Sequence, residues 1–196
     1  MQPGSTHVQA EGQVSAGGHS DYRVTAQAGQ FMMAMLTSAN QELSLQIQSP
    51  DGSVLATTGQ AQTYWQGSLP QNGDYLISII SPGTSGAFTL SIDIPVRVKF
   101  APGAVSASLK GVVSSRGVNK YLLRALKGQT MTVTITSPQN DIFLTIYGLE
   151  DGQPYVRSAL GLTHASLELP ATQDYVLEAD STSDSTETYT IDFVVR

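Results

Sequence analysis

The side chains in this sequence that are chemically equipped for catalysis are three histidines, many serines and a scatter of acids. His19-Ser20-Asp21 sets a base, a nucleophile and a carboxylate side by side. A serine hydrolase needs more: a serine on a strained elbow and donors aimed at an oxyanion. The G-x-S-x-G pattern that builds such an elbow is absent. His7, His19 and His164 therefore read as surface or loop residues. Asp180, Asp184 and Glu187 fall in a Ser/Thr-rich stretch. A hard cation wants about six to eight converging oxygens, so this stretch reads as a solvated loop. Asp51-Gly52 and Asp151-Gly152 read as turn residues, where Asp bonds its own backbone and Gly supplies positive φ. With no cysteine, disulfides, thiolate chemistry and cysteine zinc sites are excluded. The expectation is a non-enzyme with no cofactor and no bound metal.

Composition narrows the partners. Charged residues make up 13% of the 196 positions, well below the usual level of about 25%. Ser, Thr, Gln and Gly take their place, a common surface for extracellular β-proteins. The net charge of -6, with no run of Lys or Arg, disfavours nucleic acid. No apolar stretch approaches the ~20 residues of a membrane-spanning helix. The opening residues Met1 to Thr6 are polar, so the chain reads as either cytoplasmic or mature with its leader removed; the resemblance given below implies the second, a secreted, periplasmic or surface protein.

The elements that must carry these residues repeat. Tyr22 and Tyr121 are 99 positions apart, and so are Gly29-Gln30 and Gly128-Gln129, Pro3-Gly4 and Pro102-Gly103, and Gly12 and Gly111. Asp51-Gly52, Leu69-Pro70 and Asp74-Tyr75 recur 100 positions on, and Phe88-Thr89-Leu90 recurs as Tyr189-Thr190-Ile191 at 101. Single-residue insertions in loops account for this drift, because a slip inside a strand would turn every side chain to the wrong face. Within each copy the apolar period is two: Leu43, Leu45, Ile47; Phe88, Leu90, Ile92, Ile94; Met131, Val133, Ile135; Ile142, Leu144, Ile146. Short alternating strands between turn signals, with no helical period, predict an all-β chain. It is expected to fold as two tandem antiparallel β-sandwich, jelly-roll-like domains, 1-99 and 100-196, related by internal duplication.

The residues that repeat most faithfully resemble the bacterial pre-peptidase C-terminal domain family: the strand tyrosine, the Gly-Gln turn, and Leu-Pro ahead of Asp-Tyr. That resemblance implies secreted β-sandwich modules, some of whose members bind collagen with calcium. More distantly, the chain is similar to the periplasmic inhibitor of goose-type lysozyme. The family often places an acidic pair just before the strand tyrosine; Ser20-Asp21 and Asn119-Lys120 stand there instead, so no functional residue is carried over.

Differences between the copies are the remaining guide. Trp65 aligns with Ala165 and Gly67 with Leu167, which conserves volume along one strand face and marks Trp65 as a core residue rather than a sugar-stacking platform. Thr130, Thr132 and Thr134 point outward in the second copy, whereas the first copy has Phe31, Met33 and Met35 at those positions. With Phe143 and Tyr147 of the second copy, this apolar stripe is the candidate interaction surface. The function expected is a non-catalytic secreted or cell-surface binding or adhesion module, recognising a protein or a surface polymer or self-associating through the stripe; the other reading of the stripe is that the two modules, or a loop, cover it. The alternatives are a structural subunit of an extracellular filament and an inhibitor of a cell-wall hydrolase.

Overall fold

The computed structural model describes residues 5–39, 42–56 and 62–196. The Pro3-Gly4 half of one repeated pair lies outside them. The chain forms two compact units: one is Val8–Ile94, and the other is Pro95–Arg196 together with residues 5–7.

In the first unit β1 (His7–Val14), β8 (Gly86–Asp93), β3 (Phe31–Ser38) and β6 (Tyr64–Ser68) form one sheet in that order. The second sheet runs β2 (His19–Ala26), β7 (Gly73–Ile80), β4 (Ser44–Gln48), β5 (Val54–Ala56). The alternation read from the sequence is the alternation that is buried. Leu43, Leu45, Ile47, Ile77 and Ile79 are fully covered, and Met32, Ala34, Leu36, Leu90 and Ile92 pack with them in one core.

The second unit repeats this order. Its sheets run β10 (Ser106–Val113), β17 (Glu187–Val195), β12 (Thr130–Thr136), β15 (His164–Glu168), and β14 (Pro154–Val156), β13 (Ile142–Gly148), β16 (Gln173–Ser181), β11 (Val118–Ala125). Here β9 (Val96–Arg97) adds a fifth strand, parallel to β11, with Val96 opposite Tyr121. Val98 follows it into the core of this unit and donates its N–H to the Leu122 carbonyl at 2.9 Å. The segment just before Lys99-Phe100 is therefore built into the second unit. The pairings among β2 to β8, and the remaining ones among β10 to β17, are antiparallel. Helical structure among the described residues is one 3-10 turn, Ser158–Leu160.

The motifs that repeat are structural joints. Gly29 and Gly128 hold φ at +81° and +83°, a backbone that side chains rarely adopt. Each donates its N–H to the carbonyl of the leucine of Leu-Pro, 2.8 Å away at Leu69 and at Leu169. Those leucines donate back to Gln30 and Gln129, whose own side-chain carbonyls accept from Gln27 and Leu126 at 2.7 Å. The tyrosine of Asp-Tyr ties down the next loop: Tyr75 donates to the Gln71 carbonyl at 2.8 Å and Tyr175 to that of Ala171 at 2.7 Å. Gly12 and Gly111 are small because a ring lies over them. A Cβ at Gly12 would stand 2.6 Å from Phe88 Cζ, and one at Gly111 2.4 Å from Tyr189 Cζ.

Candidate functional site

The histidines open three strands, His7 in β1, His19 in β2 and His164 in β15, and these strands belong to three different sheets. Around His19 the order of groups is wrong for nucleophilic catalysis. Ser78 Oγ donates to Asp21 Oδ1 at 2.7 Å, and His19 Nε2 lies 3.7 Å from the other oxygen, Asp21 Oδ2. The carboxylate thus stands between the hydroxyl and the imidazole, whereas activation of a serine needs the imidazole between them. Ser20, next in sequence, points to the opposite face of β2, as strand alternation requires. His164 Nδ1 sits 2.9 Å from Thr134 Oγ1 on an exposed sheet face.

The acids separate in the same way. Asp180 accepts from Thr145 Oγ1 at 2.8 Å, and Asp184 pairs with Arg116 at 2.9 Å, which holds its carboxyl below the usual range. Glu187 is buried at 8% exposure. Its Oε2 and Asp141 Oδ1 are covered without a hydrogen-bond partner. Burial first, and then the Asp141 carboxyl beside it, pushes Glu187 up. The turn aspartates are held by donors: the Ser49 hydroxyl, the Ser53 N–H and the Gln71 amide converge on Asp51, and the Gln153 N–H, Gln173 amide and Tyr155 hydroxyl on Asp151. Both carboxyls are depressed in consequence, and burial with the Asp151 contact pushes Tyr155 up to about 12.

The positions before the strand tyrosine of the second unit are likewise occupied. Asn119 is buried; its amide donates to the Val112 carbonyl and the Tyr189 hydroxyl, and its oxygen accepts from the Thr6 N–H. Lys120 pairs with Glu178 at 3.1 Å. Tyr121 and Tyr189 share a 2.7 Å hydrogen bond, and their burial raises both phenols. In the first unit Phe88 replaces Tyr189, and Tyr22 meets it edge-on at 6.1 Å.

The stripe is uneven. Strand alternation turns Phe31, Met33 and Met35 away from the core of their unit, yet only Met35 is open, at 49%. Phe31 is half-buried and Met33 is 5% exposed. Tyr64, directly opposite Met35, is exposed too. On the outer face of the other unit Phe143 and Tyr147 are half-buried, opposite Asp180 and Val176. Trp65 packs against the core of its unit with its ring over Gly67, where a Cβ would meet Cζ2 at 2.8 Å.

A feature the periodicity did not single out is the turn between β14 and β15. Leu160 and Leu162 stand 65% and 39% exposed on it, side by side with Gly161 at φ +66°. Its composition, Arg157-Ser158-Ala159-Leu160-Gly161-Leu162, has no strand period, and its apolar pair was the available signal.

What the geometry defines is a pair of antiparallel β-sandwiches whose polar clusters are tied into strand ends and turns, with surface loops and faces left to make contacts. No family model matches the chain. It is 28% identical to the inhibitor of g-type lysozyme from Escherichia coli (strain K12) over 107 residues, 52% of this chain and 80% of that protein. The solved structure of PliG from Aeromonas hydrophila, a periplasmic inhibitor of g-type lysozyme, covers 52% of this chain and 96% of its own, at 24% identity and a TM-score of 0.46. The corresponding inhibitor from Salmonella Typhimurium gives 23% identity and a TM-score of 0.42.

Proposed function

We propose that this chain is a non-catalytic binding protein that inhibits goose-type lysozyme, working in the periplasm or outside the cell where such an enzyme is met. The observation that carries this is the 28% identity to the Escherichia coli inhibitor of g-type lysozyme, which spans 80% of that protein. The reading ranks above adhesion to a surface polymer and above a filament subunit because the 28% identical relative is an inhibitor. The arrangement around His19 and Asp21 agrees with a protein that binds rather than cleaves. The chain carries two copies of one module, 1–99 and 100–196 as the repeats run, and both the repeated motifs and the shared strand order support that reading. The pre-peptidase resemblance has no matching family model behind it and adds no partner. The test is lysis of a cell-wall suspension by a goose-type lysozyme, followed by turbidity as the purified chain is added. Inhibition that saturates, with a chicken-type lysozyme unaffected, is the expected result. Undiminished lysis at a large molar excess of the chain would remove this function.

A further inference from the structure

Strand order is the same in the two units, so aligned loops report what the fold demands and what it does not. In the first unit Gln62 and Thr63 lend their carbonyls to the N–H groups of Leu45 and Leu36, each at 2.7 Å. In the second, Leu162 and Thr163 do the same for Leu144 and Ile135, at 2.8 and 2.7 Å. Leu144 and Leu45 lie in one sheet of their unit, Ile135 and Leu36 in the other, so each loop is clamped to both layers. At the clamped position one unit has Gln62 and the other Leu162; two residues earlier the sequence has Gln60 in the first copy and Leu160 in the second. The clamp uses backbone atoms alone, so the fold has no need of the leucines. They are nevertheless presented to solvent, Leu160 more openly than any other large apolar side chain among the described residues. The loop that carries them is held in shape. Leu160 N–H bonds the Arg157 carbonyl at 3.0 Å, Gly161 N–H the Ser158 carbonyl at 2.8 Å, and Ser158 N–H the Thr145 hydroxyl at 3.0 Å. A fixed apolar loop loses little conformational freedom on docking, which is where much of the cost of binding lies.

We infer that the Arg157–Thr163 loop of the second unit is the contact with the lysozyme partner, that the aligned loop of the first unit makes no such contact, and that one chain therefore binds one enzyme. This rests on the inhibitor reading. The test compares the full chain with Leu160→Gln/Leu162→Gln, which installs the residues the other copy carries, with Leu160→Gln alone, and with Leu126→Gln, an exposed apolar residue elsewhere. Binding to goose-type lysozyme is followed by titration calorimetry and inhibition by turbidity. Expected are a stoichiometry of one, a loss of about 100-fold or more in affinity for the double variant, a smaller loss for Leu160→Gln, and none for Leu126→Gln. Thermal melting checks the fold, and if the double variant melts early, Leu160→Gln alone decides, since that side chain is the more exposed of the two. Parent-like binding by the loop variants overturns the inference and leaves the inhibitor reading standing. So does an equal loss on Leu126→Gln, or a stoichiometry of two. A parent chain that neither binds nor inhibits removes both together.

Discussion

Two carboxyls in this protein respond to pH with opposite sign. Asp51 is exposed but receives several donors, and its pKa lies below the ordinary 3.8. Its contribution to stability is present above that value and is lost as pH falls through the lower folded one. Asp51→Asn should therefore melt below the parent at neutral pH, and the gap should close in strong acid. Glu187 is the reverse. Its pKa lies above 4.5 because burial and the Asp141 carboxyl disfavour the anion, so the stability tied to its protonated form is lost as pH rises through the folded value. Glu187→Gln should melt above the parent at neutral pH and converge with it near pH 4. Melting temperatures of the three proteins across pH 2.5 to 8 check both signs. A Glu187→Gln variant less stable than the parent at neutral pH would contradict the sign given to Glu187.

Trp65 and Gly67 on β6 act as a unit, and Ala165 and Leu167 hold the aligned positions on β15. The Trp65 ring occupies the space a side chain at Gly67 would need. Gly67→Leu alone should destabilise by about 1–3 kcal/mol through overpacking. Adding Trp65→Ala, which reproduces the pair of the second unit, should restore most of that loss. Urea melts of both single variants and the double variant give the coupling. On β3 the stripe divides by burial. Met35→Thr should be nearly neutral, whereas Met33→Thr should cost about 1–3 kcal/mol because it removes a covered apolar side chain and leaves a gap. Much of this was legible in the residues. Period-two runs such as Leu43, Leu45 and Ile47 marked the core, and large-small exchange marked Trp65. Met33 was not legible: alternation says which way a side chain points, not what lies over it. The leucine turn was missed for a related reason. Periodicity describes sheet faces, and Leu160 and Leu162 belong to a loop whose shape comes from backbone hydrogen bonds and the left-handed Gly161.

Across the whole chain, one strand order is used twice while the surfaces diverge. The joints made by Gly-Gln, Leu-Pro and Asp-Tyr are the same in both units because they hold the layers together. Sheet faces and loops differ: threonines against methionines on β12 and β3, leucines against glutamines before β15 and β6. That pattern suits a binding protein in which one module makes the contact and its sister is free to change, and it explains why repetition in the sequence disclosed architecture far better than partner. The most direct measurement of the central claim is calorimetric titration of the intact chain into a goose-type lysozyme. The expected result is saturable binding, one enzyme per chain, with a Kd below about 1 μM. No detectable heat and no complex on size exclusion at concentrations near 100 μM, at several temperatures, would contradict it.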